Sequence, residues 1–305
     1  MKVMKAQRAQ LPDGRWHFQH GPMDIIIGAA GEALTLSDAH EYAWKRFKTI
    51  LQELVEELPA LRRPVQGVCP VRGVIAQRMW SACEPHQSHF ITPMAAVAGS
   101  VAQELMQFYQ VPSIQRAHVN NGGDIAIHLA ADESLRIGLY TNLARFNPEQ
   151  LQNGLALDGQ LEIGNSSLVR GVATSGWRGR SFSLGIADSV TVLARTAAEA
   201  DAAATVIANA VNVLDARIIR RPACEIKDDS DLGDKLVTVN VPPLPSELAQ
   251  RALASGLTCA LILRAQGLIC SAVLVCQNHW MTTSAPKQPT VEKLLTINRC
   301  GTEHA

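Results

Sequence analysis

The chain has 305 residues, enough for one large domain or two ordinary ones. Its 28 basic and 28 acidic residues give a net charge of zero, so no overall field attracts nucleic acid or an anionic membrane. The seven cysteines form no Cys-x-x-Cys pair, and the N-terminus is basic without the apolar run of a secretory signal. We therefore expect a cytoplasmic protein with no nucleic-acid and no membrane partner.

The first half of the chain predicts strands and helices in alternation. Asp24–Gly28 has the apolar run of a short buried strand, and Asp38 with Glu41 forms a capping signature for an amphipathic helix over about 38–58. A second helix, over about 93–109, opens at a proline and consists largely of small residues. Small side chains permit close approach of another backbone or of a ligand.

The middle of the chain predicts antiparallel sheet. Two β-rich runs surround Asn120–Asp124, and residues 134–140 alternate like a further strand. Residues 141–165 are polar and rich in turn formers, whereas Val169–Trp177 is again extended and leads into a glycine-punctuated loop that ends at Gly185.

The last third predicts a strand–helix unit followed by a C-terminal element. The expected elements are a strand at Ser189–Ala194, a helix over 197–214, an acidic turn at 228–234, a strand at Lys235–Val241, a helix near 246–266 and a strand at Leu268–Cys276. These predict a core domain over 1–234, a C-terminal αβ element over 235–281 that completes it, and a disordered tail over 282–305.

Residues 196–205 predict a helix start and contain two candidate oxygen ligands. Thr196 and Glu199 have the spacing of a capping box, in which each side chain accepts from a backbone N–H of the first turn. Asp201 and Thr205 are four residues apart and therefore lie on one helix face. They form a partial magnesium site, or else Asp201 merely favours the positive end of the helix dipole while Thr205 packs in the core.

Two glycine-containing segments could line a ligand. Asn120–Asp124 holds two adjacent glycines, which suit either a phosphate-binding turn or a type I′ hairpin. Thr174–Arg180 combines hydroxyls, glycines, Trp177 and two arginines, which suit a flat heterocycle and a diphosphate, or an ordinary exposed loop.

The order of these pieces, from the small-residue helix through Asn-Gly-Gly-Asp and Ala-Thr-Ser-Gly to Asp-x-x-x-Thr, resembles the ApbE superfamily, the FAD:protein FMN transferases. The resemblance is collinear over roughly 24–215 and points to an uncharacterised branch without a lipoprotein signal. It implies an α+β, ApbE-like (T-fold-like) fold of antiparallel sheets covered by helices.

The resemblance also implies site residues and cofactors. It makes Asp201 and Thr205 the Mg²⁺ ligands, and it places FAD against two segments. The corresponding flavin-lining residues are Asn121, Gly122, Gly123, Asp124, Thr174, Ser175 and Gly176. The implied partners are a flavin nucleotide and a redox protein, and a homo-oligomer stays open.

The chain departs from the family pattern at two places. Ala98 stands where the transferases have a lysine before the second glycine of the helix start, here Gly99. The His-Ile-Ile-Asp-Pro segment of the family is replaced by Arg180–Gly185. Arg178 or Arg180 could restore the lost charge, which the sequence does not decide.

Other residues suggest weaker alternatives. Cys83, His86 and His89 are spaced by threes but lack a further zinc ligand nearby. His118 and His128 flank the glycine turn as candidate acids or bases, or as histidines that satisfy a carbonyl. Ser175 lacks the Gly-x-Ser-x-Gly context of a hydrolase nucleophile.

Three functions follow. The first is a Mg²⁺-dependent, ApbE-like enzyme that binds a flavin nucleotide and transfers FMN from FAD. The second is a non-catalytic flavin- or ligand-binding accessory protein of a cytoplasmic redox enzyme. The third is unrelated chemistry on the same scaffold.

Overall fold

The computed structural model of the protein describes residues 5–139 and 159–283. A nine-stranded sheet dominates this part of the chain, and every pair of neighbouring strands in it is antiparallel. Its strands are, in spatial order, β1 Gln7–Gln10, β2 Trp16–His20, β3 Met23–Gly31, β4 Ile114–Asn121, β5 Asp124–Leu129, β8 Gly171–Ser175, β9 Ser189–Ala194, β12 Ser271–Cys276 and β13 His279–Thr282. Two small antiparallel sheets pair β6 Ser134–Leu139 with β7 Gly159–Gly164, and β10 Ile219–Pro222 with β11 Leu236–Asn240.

The longer helices cover one face of the large sheet. The helices are α1 Ala33–Glu56, α2 Leu58–Leu61, α3 Val74–Cys83, α4 Val97–Met106, α5 Ala197–Ala210, α6 Ala223–Ile226 and α7 Ser246–Ala265. Helix α1 packs on β2 and β3, α4 on β4 and β5, α5 on β8 and β9, and α7 on β12 and β13. The predicted α+β architecture of antiparallel sheet covered by helices is therefore confirmed.

Alternation along β5 shows which residues face the helices. Ile125 and Ile127 join a second apolar cluster, which also contains Ile137 of β6 and Leu161 of β7. Ala126 belongs to the main core under the helix layer. Because successive side chains of a strand point to opposite faces, Asp124 shares the helix-facing side with Ala126.

Helix α1 begins earlier than the capping signature at Asp38 predicted. It starts at Ala33, after Glu32, whose N–H donates to Ser113 O at 3.0 Å and whose Oε2 accepts from Thr35 Oγ1 at 2.8 Å. No side chain caps the backbone of this first turn, so the sequence carries no standard start signal. Asp38 consequently lies inside the helix.

Other boundaries differ by smaller amounts or had no prediction. Helix α5 ends at Ala210 rather than near 214, and the helix predicted over 93–109 is a 3₁₀ turn, α4, and a second 3₁₀ turn. Strands β1, β2, β10 and β13 had no prediction, and β7 falls within the segment 141–165 expected to be turn-rich. The sequence between the first two predicted helices indicates mixed strands and turns, which is wrong for α3, a helix at Val74–Cys83. Thr282 ends β13, and residues 284–305 of the predicted tail lie outside the described residues.

None of the helices in residues 5–139 and 159–283 combines the length and apolarity needed to cross a bilayer. All six cysteines of these ranges are free thiols.

Candidate functional site

The start of α5 fixes the position of Asp201. Glu199 N–H donates to Thr196 Oγ1 at 3.2 Å, and Thr196 N–H donates to Glu199 Oε2 at 3.1 Å. The capping box predicted from the sequence is therefore present and starts the helix at Ala197. Asp201 follows one turn later.

Helices α4 and α5 touch backbone to backbone at their N-terminal ends. A Cβ atom on Gly99 would overlap the carbonyl oxygen of Ala197, so only glycine fits at this crossing. Asp201 Oδ2 accepts the N–H of Gly99 at 2.9 Å. This N–H belongs to the first turn of α4, where backbone donors have no partner within the helix. Asp201 of one helix therefore caps the start of another.

The glycine turn between β4 and β5 is a two-residue hairpin. Gly122 and Gly123 have φ of 68° and 115°, values that favour glycine, and Asn121 pairs with Asp124 across the turn. The N–H of Gly123 donates to Asn120 Oδ1 at 2.8 Å, so this donor is already satisfied. Buried Asn121 donates from Nδ2 to Ala98 O at 3.2 Å, which ties the hairpin to the first turn of α4.

Two carboxyl groups meet beneath this turn. Asp124 Oδ1 accepts the N–H of Thr174 at 3.2 Å. Desolvation raises the pKa of Asp124 to about 7, against the lowering effects of that hydrogen bond and of the Arg180 charge. Desolvation, and after it the charge of Asp124, raise the pKa of Asp201 well above its usual range. Because the charge of Asp124 makes ionisation of Asp201 more costly, we treat the two groups as one acidic pair, which we call the Asp124–Asp201 pair.

The remaining predicted site residues are less closely joined to this pair. Thr205 lies one turn beyond Asp201 and is half-buried, and its hydroxyl makes no hydrogen bond within the described part of the chain. The hydroxyl of Thr174 contacts Thr191 Oγ1 at 2.9 Å. Ser175 is half-buried, and a Cβ on Gly176 would overlap the carbonyl oxygen of Asp188. These residues stay predictions as magnesium or flavin contacts.

The arginines of the 176–180 loop have different surroundings. The Arg178 guanidinium lies 4.7 Å from the centroid of the Trp177 ring, and its Nε is 3.9 Å from Asp188 Oδ1. Trp177 Nε1 donates to the same oxygen at 3.3 Å, so this aromatic plate is held beside Asp188 and covered by an arginine. Arg180 instead reaches Pro22, where its Nη2 donates to the carbonyl oxygen at 2.8 Å.

Sequence reasoning missed the proximity of Cys83 to the Asp124–Asp201 pair. Cys83 Sγ donates to Thr92 O at 3.4 Å. Burial and the charge of Asp201 raise the pKa of this thiol well above its usual range, so it stays protonated and weakly nucleophilic. No signal within the local sequence of α3 indicates this neighbour, because α3 and α5 lie more than a hundred residues apart in the chain.

The zinc alternative finds no support. His86 is buried, and burial lowers its pKa to about 4, whereas His89 is exposed. Residues 5–139 and 159–283 contain no group of three or more His, Cys, Asp or Glu side chains placed to hold a metal ion.

The two histidines beside the hairpin belong to the sheet. The ring of His118 occupies the space that a Cβ on Gly28 would need, and burial lowers the pKa of His118. His128 Nε2 lies 3.0 Å from Ile114 O, as expected of a histidine that satisfies a backbone carbonyl.

The acidic pair suits a magnesium ion better than a metal that needs several protein ligands. Magnesium commonly takes one or two carboxylates and fills its other positions with water or substrate phosphates. Asp201 Oδ2 already accepts one N–H, but a carboxylate has further lone pairs for a cation. Asp124 and Asp201 also keep partial exposure, which leaves the pair open to a ligand. The residues present therefore fit the cation that the resemblance implies.

The fold and the site together define a class: an α+β protein whose antiparallel sheet and helix layer enclose an acidic pair beside a glycine hairpin. A family model described as AbpE bacteria matches residues 8–282, and the chain belongs to this family.

The relatives in archaea carry the name UPF0280. The chain is 35% identical over 224 residues to the UPF0280 protein of Methanopyrus kandleri, covering 71% of this chain and 83% of that protein. It is 38% identical over 149 residues to that of Methanothrix thermoacetophila and 38% identical over 150 residues to that of Methanocaldococcus jannaschii, covering 48% and 49% of this chain. The chain spans about half of these two relatives, 55% and 57% of their lengths.

Among solved structures, the chain is similar to the apo form of the flavinyl transferase ApbE of Pseudomonas stutzeri. The identity is 12%, the TM-score is 0.43, and the match covers 97% of this chain and 99% of that one.

Proposed function

We propose that the protein binds a flavin nucleotide together with Mg²⁺ and transfers FMN from FAD to a redox protein in the cytoplasm. The observation that carries this proposal is the Asp124–Asp201 pair, in which Asp201 accepts the Gly99 N–H of the first turn of α4. Membership of the AbpE family supports a flavin ligand, since the segments beside the acidic pair are those on which the family resemblance depends. Asp201 and Thr205 would hold Mg²⁺, with Asp124 beside them.

The hairpin and the Thr174–Gly176 segment would receive the nucleotide. They are joined by the 3.2 Å hydrogen bond from Thr174 N–H to Asp124, so a ligand bound at one segment would lie beside the other. Bound Mg²⁺ would neutralise diphosphate charge and polarise the phosphoryl group. The chain's own contribution is to hold the two carboxyl groups in place and partly withdrawn from water.

A non-catalytic flavin-binding role is the second candidate, and Ala98 favours it. The first turn of α4, Val97–Ser100, contains no cation, although it lies directly against the acidic pair. Loss of a phosphate contact impairs transfer more than it impairs binding, because the moving phosphoryl group needs charge stabilisation in the transition state.

The test is a titration of the purified protein with FAD, with and without Mg²⁺, followed by flavin fluorescence. We expect binding that Mg²⁺ strengthens. Absence of binding in both conditions would exclude both candidates. In the presence of a flavin-accepting protein, release of AMP together with covalent flavin on the acceptor supports transfer, whereas binding without AMP release supports the accessory role.

A further inference from the structure

Arg180 lies across the glycine hairpin. A Cβ atom on Gly122 would come within 2.9 Å of Arg180 Nη1, so the missing side chain makes room for the guanidinium. Arg180 Nη2 donates to Pro22 O at 2.8 Å, which anchors the group to the turn between β2 and β3. The guanidinium is therefore held at a defined place beside the residues that the family resemblance assigns to the nucleotide.

This guanidinium keeps unused donors. Nε and Nη1 of Arg180 make no hydrogen bond with any residue in 5–139 or 159–283, and no carboxylate of these ranges lies within ion-pair distance of it. Arg178 differs, since its Nε faces Asp188 at 3.9 Å and its guanidinium covers Trp177. Of the two arginines in this loop, only Arg180 has its positive charge available for an anion at the hairpin.

The charge balance of the site favours a further positive charge beside the two carboxylates. Asp124 and Asp201 carry two negative charges when ionised, so a divalent cation bound to both leaves the site with no net positive charge, although its open positions can still coordinate a phosphate. Arg180 adds one positive charge, and it acts on Asp124, whose pKa it lowers. Together with the cation, it gives the site a net positive charge, which strengthens the attraction for a phosphate.

We propose that Arg180 is the cationic phosphate contact of this site. It supplies the positive charge that the first turn of α4, which has Ala98, lacks. The ligand class is the phosphate or diphosphate group of a nucleotide, which a guanidinium binds through two parallel N–H donors. This inference rests on the proposed function, because it assigns a residue to the same nucleotide.

The experiment compares three ligands by isothermal titration calorimetry at constant free Mg²⁺: FMN, riboflavin, which lacks the phosphate, and inorganic pyrophosphate. The variants are Arg180→Gln, Arg180→Lys and the matched control Arg178→Gln from the same loop. We expect Arg180→Gln to bind FMN and pyrophosphate about tenfold to a hundredfold more weakly and riboflavin as tightly as wild type, since a hydrogen bond to a charged group is lost. We expect Arg180→Lys to be intermediate and Arg178→Gln to behave as wild type.

The outcomes separate this inference from the proposed function. If Arg180→Gln binds all three ligands as wild type does, or weakens riboflavin as much as FMN, the phosphate contact is overturned while flavin binding stands. If wild type binds pyrophosphate through Arg180 but neither flavin, the flavin function fails and the inference holds; binding of no ligand overturns both. Should Arg180→Gln fail to fold, folded Arg180→Lys decides: weaker binding of FMN and pyrophosphate with unchanged riboflavin supports the inference, and equal weakening of FMN and riboflavin overturns it.

Discussion

Asp201 is positioned by the protein itself. Its Oδ2 accepts the Gly99 N–H at 2.9 Å, so a helix-capping contact orients the carboxylate. Structural and ligand-binding interpretations of this residue therefore do not exclude each other. A side chain that caps α4 and also faces Asp124 is ready for a cation at no further ordering cost, which is what preorganisation means.

Replacing Asp201 by asparagine separates the two roles. The amide side chain keeps an oxygen that accepts from Gly99 N–H but lacks the charge that desolvation and Asp124 make costly. We expect Asp201→Asn to leave the metal-free protein at least as stable as wild type, and to abolish the increase in melting temperature that Mg²⁺ causes in wild type. Thermal unfolding with and without Mg²⁺ measures both effects.

The control for this prediction is Asp201→Ala. Alanine leaves the Gly99 N–H without its acceptor, so we expect a loss of about 1–3 kcal/mol in the free energy of unfolding. A destabilised Asp201→Asn, combined with a wild type that shows no Mg²⁺ dependence, would show that Asp201 is structural only.

Asp124 predicts a pH dependence of stability. Its pKa is about 7 in the folded protein against a usual 3.8, so the folded state holds the proton more tightly than the unfolded state. The stabilisation is complete below about pH 4 and is lost as the pH rises towards about 7, by at most about 1.4 kcal/mol per pH unit. We therefore expect Asp124→Asn to become progressively more stable than wild type between about pH 5 and 8 without metal.

The difference between variant and wild type is the quantity to measure. Burial lowers the pKa values of His40, His86 and His118, and these groups make the folded state more stable as the pH rises over an overlapping range. They contribute equally to both proteins and cancel in the difference. The contribution of Asp201 does not cancel. Its pKa falls when the Asp124 charge is removed, which further stabilises Asp124→Asn relative to wild type as the pH rises. A difference in unfolding free energy that stays constant across this pH range would contradict the raised pKa of Asp124.

At the scale of elements, the crossing of α4 and α5 holds the site together. A side chain on Gly99 would collide with the backbone of Ala197, and backbone cannot turn away as a flexible side chain can. We expect Gly99→Ala to cost about 2–3 kcal/mol in the free energy of unfolding, the size of an overpacked core. It should also weaken Mg²⁺ binding, because the N–H that orients the Asp201 carboxylate is displaced.

Gly164 provides the matched control. A Cβ there would meet only Ser166 Oγ, at the ordinary contact distance of 3.9 Å, so we expect Gly164→Ala to change stability by less than about 0.5 kcal/mol. Urea unfolding of both variants checks the contrast. Equal stabilities for the two would mean that the helices can separate at little cost.

The elements that the sequence predicted well are those with local signals. The capping box of Thr196 and Glu199 starts α5 where expected, and two adjacent glycines make the hairpin after Asn121. Helix α1 starts earlier than predicted. Glu32, the residue before it, is held by a backbone hydrogen bond to Ser113, which is distant in the chain. Tertiary contacts of this kind leave no periodic pattern in the sequence.

The candidate site likewise combines residues that the sequence could predict with contacts that it could not. The motif residues Asn121, Asp124 and Asp201 could be selected from spacing and family resemblance, and the structure brings them to one place. Spacing could not show that the Gly99 N–H is the donor to Asp201. It also could not show which of the two loop arginines keeps a free charge, since that depends on contacts with Asp188 and with the Pro22 carbonyl.

At the scale of the whole molecule, the C-terminal element is built into the sheet that carries the site. Strand β12 pairs with β9, whose residues Ser189–Ala194 are all buried. Helix α7 packs on α5, and a Cβ on Gly256 would overlap the Val211 side chain just after α5 ends. Helix α5 thus lies between α4 and α7, and its position depends on both.

This arrangement predicts that residues 1–234 do not fold alone into the native structure. Without β12 and α7, β9 becomes an open edge and the apolar residues of β9 and α5 lose their cover, which exposes more surface than a marginally stable domain tolerates. We expect the 1–234 fragment to lack a cooperative urea transition, whereas a chain that ends at Thr283, with every described element present, should keep one. The two are compared by circular dichroism and tryptophan fluorescence. A cooperative transition in the 1–234 fragment would show that the boundary at 234 separates an autonomous domain from an accessory element, and the Asp124–Asp201 pair would then not depend on the C-terminal strands.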